Sequence, residues 1–120
     1  MQNKKRDINP ALSKSKNPRN YRKSGINNFI EECHRIAKVK GWWDKERNDA
    51  ELIALMHSEL SEALEAMRNC GRKEDIAEEL ADCCIRIFDY CGAKNIDLEK
   101  TLLKKIEYNK TRPYRHGKKF

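Results

Sequence analysis

Two pairs of carboxylates dominate the chemistry that this chain of 120 residues can offer: Glu59-x-x-Glu62 and Glu79-x-x-Asp82. Residues three apart on a helix are neighbours on one face. Each pair therefore sets two like charges side by side, at a cost of roughly 0.2–0.5 kcal/mol when exposed. If two antiparallel helices bring the pairs together, four carboxylates converge, and such a cluster needs cations to hold it. Oxygen ligands without nearby His or Cys select Mg²⁺ or Mn²⁺ over zinc. The competing reading is of ordinary solvated glutamates on helices that contain many of them.

The elements that must position these groups are helices. Ile26, Phe29, Ile30, Cys33, Ile36 and Ala37 recur at steps of three and four, which predicts a first helix over about 27–40, stopped at Gly41. Asn48 or Asp49 can cap a second helix that runs to about Cys70 before Gly71. A third is expected from about Lys73 to Cys91, before Gly92. Asp97 can cap a fourth, from Leu98 to about Lys110, which must end near Pro113. Leu52, Ile53, Met56, Leu60, Ala63, Leu64 and Met67 form the expected core stripe of the second helix, with Glu59 about 80° from its centre at about 100° per residue. The third helix carries one stripe through Ile76, Leu80, Cys83, Cys84, Ile87 and Cys91. Ala81 and Ile85 lie on another side beside Asp82, and a helix apolar on two sides points to oligomerisation. The fold class is therefore all-α, a four-helix bundle, with no strand pattern in competition.

Composition supports that class: 38% hydrophobic and 38% charged residues, with 5 Gly and 3 Pro, argue against a β-sandwich. The net charge of +7 is unevenly placed. Residues 1–23 hold eight Lys or Arg against Asp7 alone, the last eleven residues are basic, and the middle is acidic. An acidic centre with two basic ends differs from a uniformly basic nucleic-acid binder. The chain divides into a flexible basic arm, 1–24, and a helical domain, 25–120, because the arm is poor in apolar residues and broken by Pro10 and Pro18. No apolar run reaches bilayer-spanning length, so a cytoplasmic protein without membrane contact is expected. The cysteines at 33, 70, 83, 84 and 91 contain no C-x-x-C and read as small buried thiols. Glu31-x-x-His34 is half of a di-iron signature whose second half is missing.

Glu59-Leu-Ser-Glu62-Ala-Leu-Glu65 followed by Glu78-Glu79-Leu-Ala-Asp82 closely resembles the MazG-like all-α nucleoside triphosphate pyrophosphohydrolases, whose signature is ExxE, a spacer, then ExxD. Gly41-Trp42-Trp43 and the segment from Lys105 through Asn109 and Arg112 to His116-Gly117 extend the resemblance. It implies Mg-dependent hydrolysis of a nucleoside triphosphate substrate to the monophosphate and pyrophosphate. Mg²⁺, with Mn²⁺ as a substitute, would be held by Glu59, Glu62, Glu79 and Asp82, and the protein would be a homodimer or tetramer. Glu62 is the preferred acceptor of the attacking water's proton, although spacing alone does not separate it from its neighbours. Lys105, Asn109 and Arg112, at i, i+4 and i+7, suit phosphate and sugar contacts or else form a solvated basic face. Trp42 and Trp43 either wall a base pocket or anchor the loop, with Trp43 preferred for the base. The alternative function is a non-catalytic helical module that contacts a nucleotide or nucleic acid through the basic arm and tail. The ordered acidic motifs disfavour it, since a phosphate-binding surface would not concentrate carboxylates.

Overall fold

Capping chemistry sets the helix boundaries in the computed structural model of the chain, which describes residues 25–69 and 71–120. The basic arm expected at 1–24, and Cys70, lie outside the described residues. Helix α1 spans Ile26–Val39, α2 Asp49–Asn69, α3 Lys73–Ala93 and α4 Leu98–Thr111, followed by a 3₁₀ turn at Tyr114–Gly117. No strand occurs among the described residues. The described residues form an all-helical fold, as the periodicity predicts.

Gly41, at φ +89°, ends α1, and the Trp42 amide closes back on Ala37 O at 3.1 Å. Asn48 starts α2 by accepting from the amides of Ala50 (2.8 Å) and Glu51 (3.3 Å). Asp97 starts α4 by accepting from the Lys100 amide at 3.1 Å. Its carboxyl is held below the usual range, first by a side-chain hydrogen bond from Asn27 and then by that amide. One boundary differs from expectation. Helix α3 continues through Gly92 to Ala93, and its left-handed stop is Asn95 at φ +53°. Gly92 instead lets α1 approach, because its missing side chain makes room for His34.

Helix α3 is the central element, packed on α2 on one side and α1 on the other. Lys94 Nζ reaches Asp49 Oδ1 at 2.9 Å, closing the antiparallel α2–α3 hairpin at one end. Phe29 and Phe88 stack at 6.3 Å across the α1–α3 contact. Helix α4 touches α1 only near its start, where the caps are reciprocal: Glu99 accepts from the Ile26 amide and Asn27 accepts from the Glu99 amide. Residues 101–111 are then exposed throughout.

The core is small: Ile30, Leu52, Ala63, Cys83 and Cys91 are its buried apolar members. The expected α2 stripe divides. Leu52 and Ala63 are buried and Met56 half-buried, whereas Ile53, Leu60, Leu64 and Met67 face outward. Glu59, 7% exposed, lies within the packed face and not at its edge. On α3, Cys83 and Cys91 are buried, but Cys84 is exposed, so the thiol stripe is narrower than periodicity implies. Burial pushes the Cys33, Cys83 and Cys91 thiols up, which keeps them neutral and poor soft-metal ligands. No helix among the described residues is long and apolar enough to cross a membrane.

Candidate metal and phosphate site

The α2–α3 hairpin sets the two acidic pairs against each other. One carboxylate oxygen from each of Glu59, Glu79 and Asp82 lies within 4.8 Å of the other two. Oxygens in one octahedral Mg²⁺ shell are at most about 4.2 Å apart, twice the metal–oxygen bond, so this spacing is close to what one ion requires. The donor set is wholly carboxylate, which fits a hard cation. Glu62 stands outside the trio yet shares a hydrogen bond with Glu79. Partial burial, that hydrogen bond, and the charges of Glu62, Asp82 and Glu59 push the Glu79 carboxyl up.

The cluster opens on a cleft of about 330 Å³ between α1, the Trp42 loop and α3. Glu59, Asp82 and Asp89 supply its acidic wall, and Lys40, Arg47 and Arg86 supply cations around it. Arg86 Nε donates to Glu59 Oε1 at 2.6 Å. Asp89 is buried, and its Oδ1 accepts from Trp43 Nε1 at 2.9 Å and lies 2.8 Å from His34 Nδ1. His34 also meets the Trp43 ring edge-on at 5.4 Å. Three elements are thereby tied together behind the cleft. His34, from the incomplete di-iron motif, thus serves a hydrogen-bonded network.

The chain matches no family model, no curated protein and no solved structure. The site therefore rests on its own geometry and on the motifs.

All four carboxylates are brought together, three as a tight cluster and Glu62 beside them. Trp42 lines the cleft, while Trp43, outside the lining, turns its indole N–H to Asp89 in the cleft wall. Arg47 stacks over both rings, 5.7 Å from Trp42 and 5.3 Å from Trp43. Lys105, Asn109 and Arg112 do not line the cleft. They lie on α4, where Lys105 and Arg112 pack over Tyr108 at 4.9 and 5.5 Å. Lys40, Arg47, Arg86 and Asp89 escaped the sequence reading. For two of them a signal exists: Asp82, Arg86 and Asp89 fall at i, i+4 and i+7, a charged line along one face of an otherwise apolar helix.

Proposed function

We propose that the protein is a MazG-like nucleoside triphosphate pyrophosphohydrolase, cleaving (deoxy)nucleoside triphosphates to the monophosphate and pyrophosphate. The observation that carries this reading is one cleft lined by two members of the three-carboxylate cluster, Glu59 and Asp82, together with three cations. A metal-bound polyphosphate presents the same alternation of charge: the cation needs carboxylates, and the oxygens beyond it need Lys and Arg.

Glu59, Glu79 and Asp82 are the residues that would hold Mg²⁺, or Mn²⁺ in its place. The ion would neutralise the triphosphate and acidify a water for attack on the α-phosphorus. Glu62 is the proposed base. It lies outside the trio but next to Glu79, so it is free to accept the water's proton while its neighbours serve as ligands. In this reading Trp42, which is exposed and lines the cleft, would stack on a base, and Trp43 would back the same wall through its hydrogen bond to Asp89.

A homodimer or tetramer belongs to this reading. Leu60, Leu64 and Met67 on α2 are each about half exposed, and Leu103 and Ile106 on α4 are at least as open. These large residues lie along helices that the protomer leaves uncovered on one side, as expected of a face that pairs with a second copy. Pairing would also give Lys105, Asn109 and Arg112 a route to a neighbouring cleft. Such a reaction suits a cytoplasmic nucleotide pool.

The deciding experiment incubates the full chain with a panel of ribo- and deoxyribonucleoside triphosphates, with Mg²⁺ or with a chelator. Pyrophosphate and the matching monophosphate are expected in equal amounts, only when the metal is present. Orthophosphate with a diphosphate product, or no product across the panel, would refute the reading.

A further inference from the structure

Arg86 stands where the acidic cluster meets the cleft, and its guanidinium presents two different edges. On one side Nε donates to Glu59, and this is its one side-chain hydrogen bond among the described residues. The Glu59 side chain it holds is buried, whereas 34% of the Arg86 side chain is open and lines the cleft. Arginine carries five N–H donors in a planar fork. Glu59 occupies the one on Nε, and the four on the terminal nitrogens meet no acceptor among the described residues.

The other cleft cations are placed differently. Arg47 is turned onto the faces of Trp42 and Trp43. Lys40 caps the end of α1 and makes no hydrogen bond or ion pair to a cluster carboxylate among the described residues. Arg86 alone among the three is bonded to a member of the carboxylate trio. A carboxylate that ligates a metal is commonly oriented by an outer hydrogen bond to its other lone pairs, and losing that partner weakens the site. Phosphate oxygens beyond the metal are well matched by the terminal edge of a guanidinium.

We propose that Arg86 bridges ligand and substrate: its Nε edge fixes Glu59 for the metal, and its terminal nitrogens take a non-bridging oxygen of the nucleotide's phosphate chain. The inference rests on the pyrophosphohydrolase reading. It makes Arg86 a positioning residue toward the metal and a substrate-binding residue toward the phosphates. Lysine suits this double role less well: its ammonium gathers three donors at one point, without the extended planar fork that lets Nε hold Glu59 while the terminal nitrogens reach farther out.

The test uses the full chain as wild type, Arg86→Gln and Arg86→Lys, with helicity checked by circular dichroism. Mn²⁺ affinity is measured by electron paramagnetic resonance without nucleotide, and kcat and KM are then measured for a cleaved triphosphate. Arg86→Gln is expected to weaken Mn²⁺ binding about 10- to 100-fold. It should also raise KM about tenfold or more, the weight of a charge-assisted hydrogen bond. Arg86→Lys is expected to restore most of the Mn²⁺ affinity while KM stays raised. A folded Arg86→Gln with wild-type Mn²⁺ affinity and KM overturns the inference and leaves the hydrolase reading standing. Wild-type KM in Arg86→Lys overturns the phosphate contact. Loss of helicity in both variants makes Arg86 a packing residue and overturns the proposal. A wild-type protein that neither binds Mn²⁺ nor releases pyrophosphate removes both readings together.

Discussion

Gly92→Ala sets two opposing effects against each other at the α1–α3 crossing. A methyl group at this position would lie 2.5 Å from Cβ and 2.9 Å from Cγ of His34, and 3.3 Å from Ile30 O. Carbon atoms are comfortable at about 3.5–4.0 Å, so α1 would have to withdraw by roughly 1 Å. Rotation of the imidazole does not relieve this, because His34 Cβ is fixed to the α1 backbone. Overpacking of this kind costs about 1–3 kcal/mol. Alanine in place of glycine inside a helix returns at most about 1 kcal/mol, and less here, so close to the end of α3. The clash wins. Withdrawal also pulls His34 from Asp89, which is bonded to Trp43, and so loosens the wall behind the cleft. A net loss of about 1–2 kcal/mol corresponds to a fall in Tm of roughly 5–15 °C for a domain of this size. Thermal unfolding followed by far-ultraviolet circular dichroism, at one protein concentration, measures it. A Tm equal to or above that of the wild type would show that the crossing is looser than the structure has it.

Neutralising any one of Glu59, Glu62, Glu79 or Asp82 (Gln for Glu, Asn for Asp) is expected to lower turnover about a hundredfold or more with helicity retained. Full activity in all four variants would remove the site. The raised Glu79 carboxyl binds its proton more tightly in the folded chain than in the unfolded one. Its contribution to the stability of metal-free protein is thus present at low pH and lost as pH rises through the raised value. If the proposed site binds metal, the ion would compete with that proton, so the acid limb of activity should move to lower pH as Mg²⁺ is increased; a limb indifferent to Mg²⁺ would refute the coupling. Leu64→Glu puts a charge on the open face of α2, and sedimentation velocity should show a smaller species than the wild type. A wild type that already sediments as a monomer with full activity would sink the assembly reading.

The helix frame was legible because its punctuation is chemical. Asn48, Asp97, Gly41 and Gly71 each act at a backbone position that their side chain, or its absence, suits. Gly92 shows the limit of that logic. A glycine after an apolar stripe reads as a stop, but the same missing side chain also allows close approach, and only the neighbouring helix decides which use is made of it. Here His34 occupies the space, and Asn95 takes the left-handed turn.

The site was half legible, and the missing half has one physical source. Periodicity ranks a helix face by its summed hydrophobicity, so it placed the packed side of α2 toward Ile53, Leu60 and Leu64 and moved Glu59 to the edge. In the folded chain the large residues are the exposed ones, and Leu52, Met56, Glu59 and Ala63 form the packed line. A carboxylate in that line is stable only with a cationic partner, and Arg86 on the facing helix provides it. Buried charge thus lies on the packed face of α2 and apolar bulk on its open face, the reverse of what an isolated amphipathic helix would suggest. The same inversion explains why Asp89 was passed over. It sits on α3 seven residues after Asp82, buried, with its charge engaged by Trp43 and His34. In a bundle this thin, the polar residues that a helix encloses identify the cleft better than its apolar stripe does.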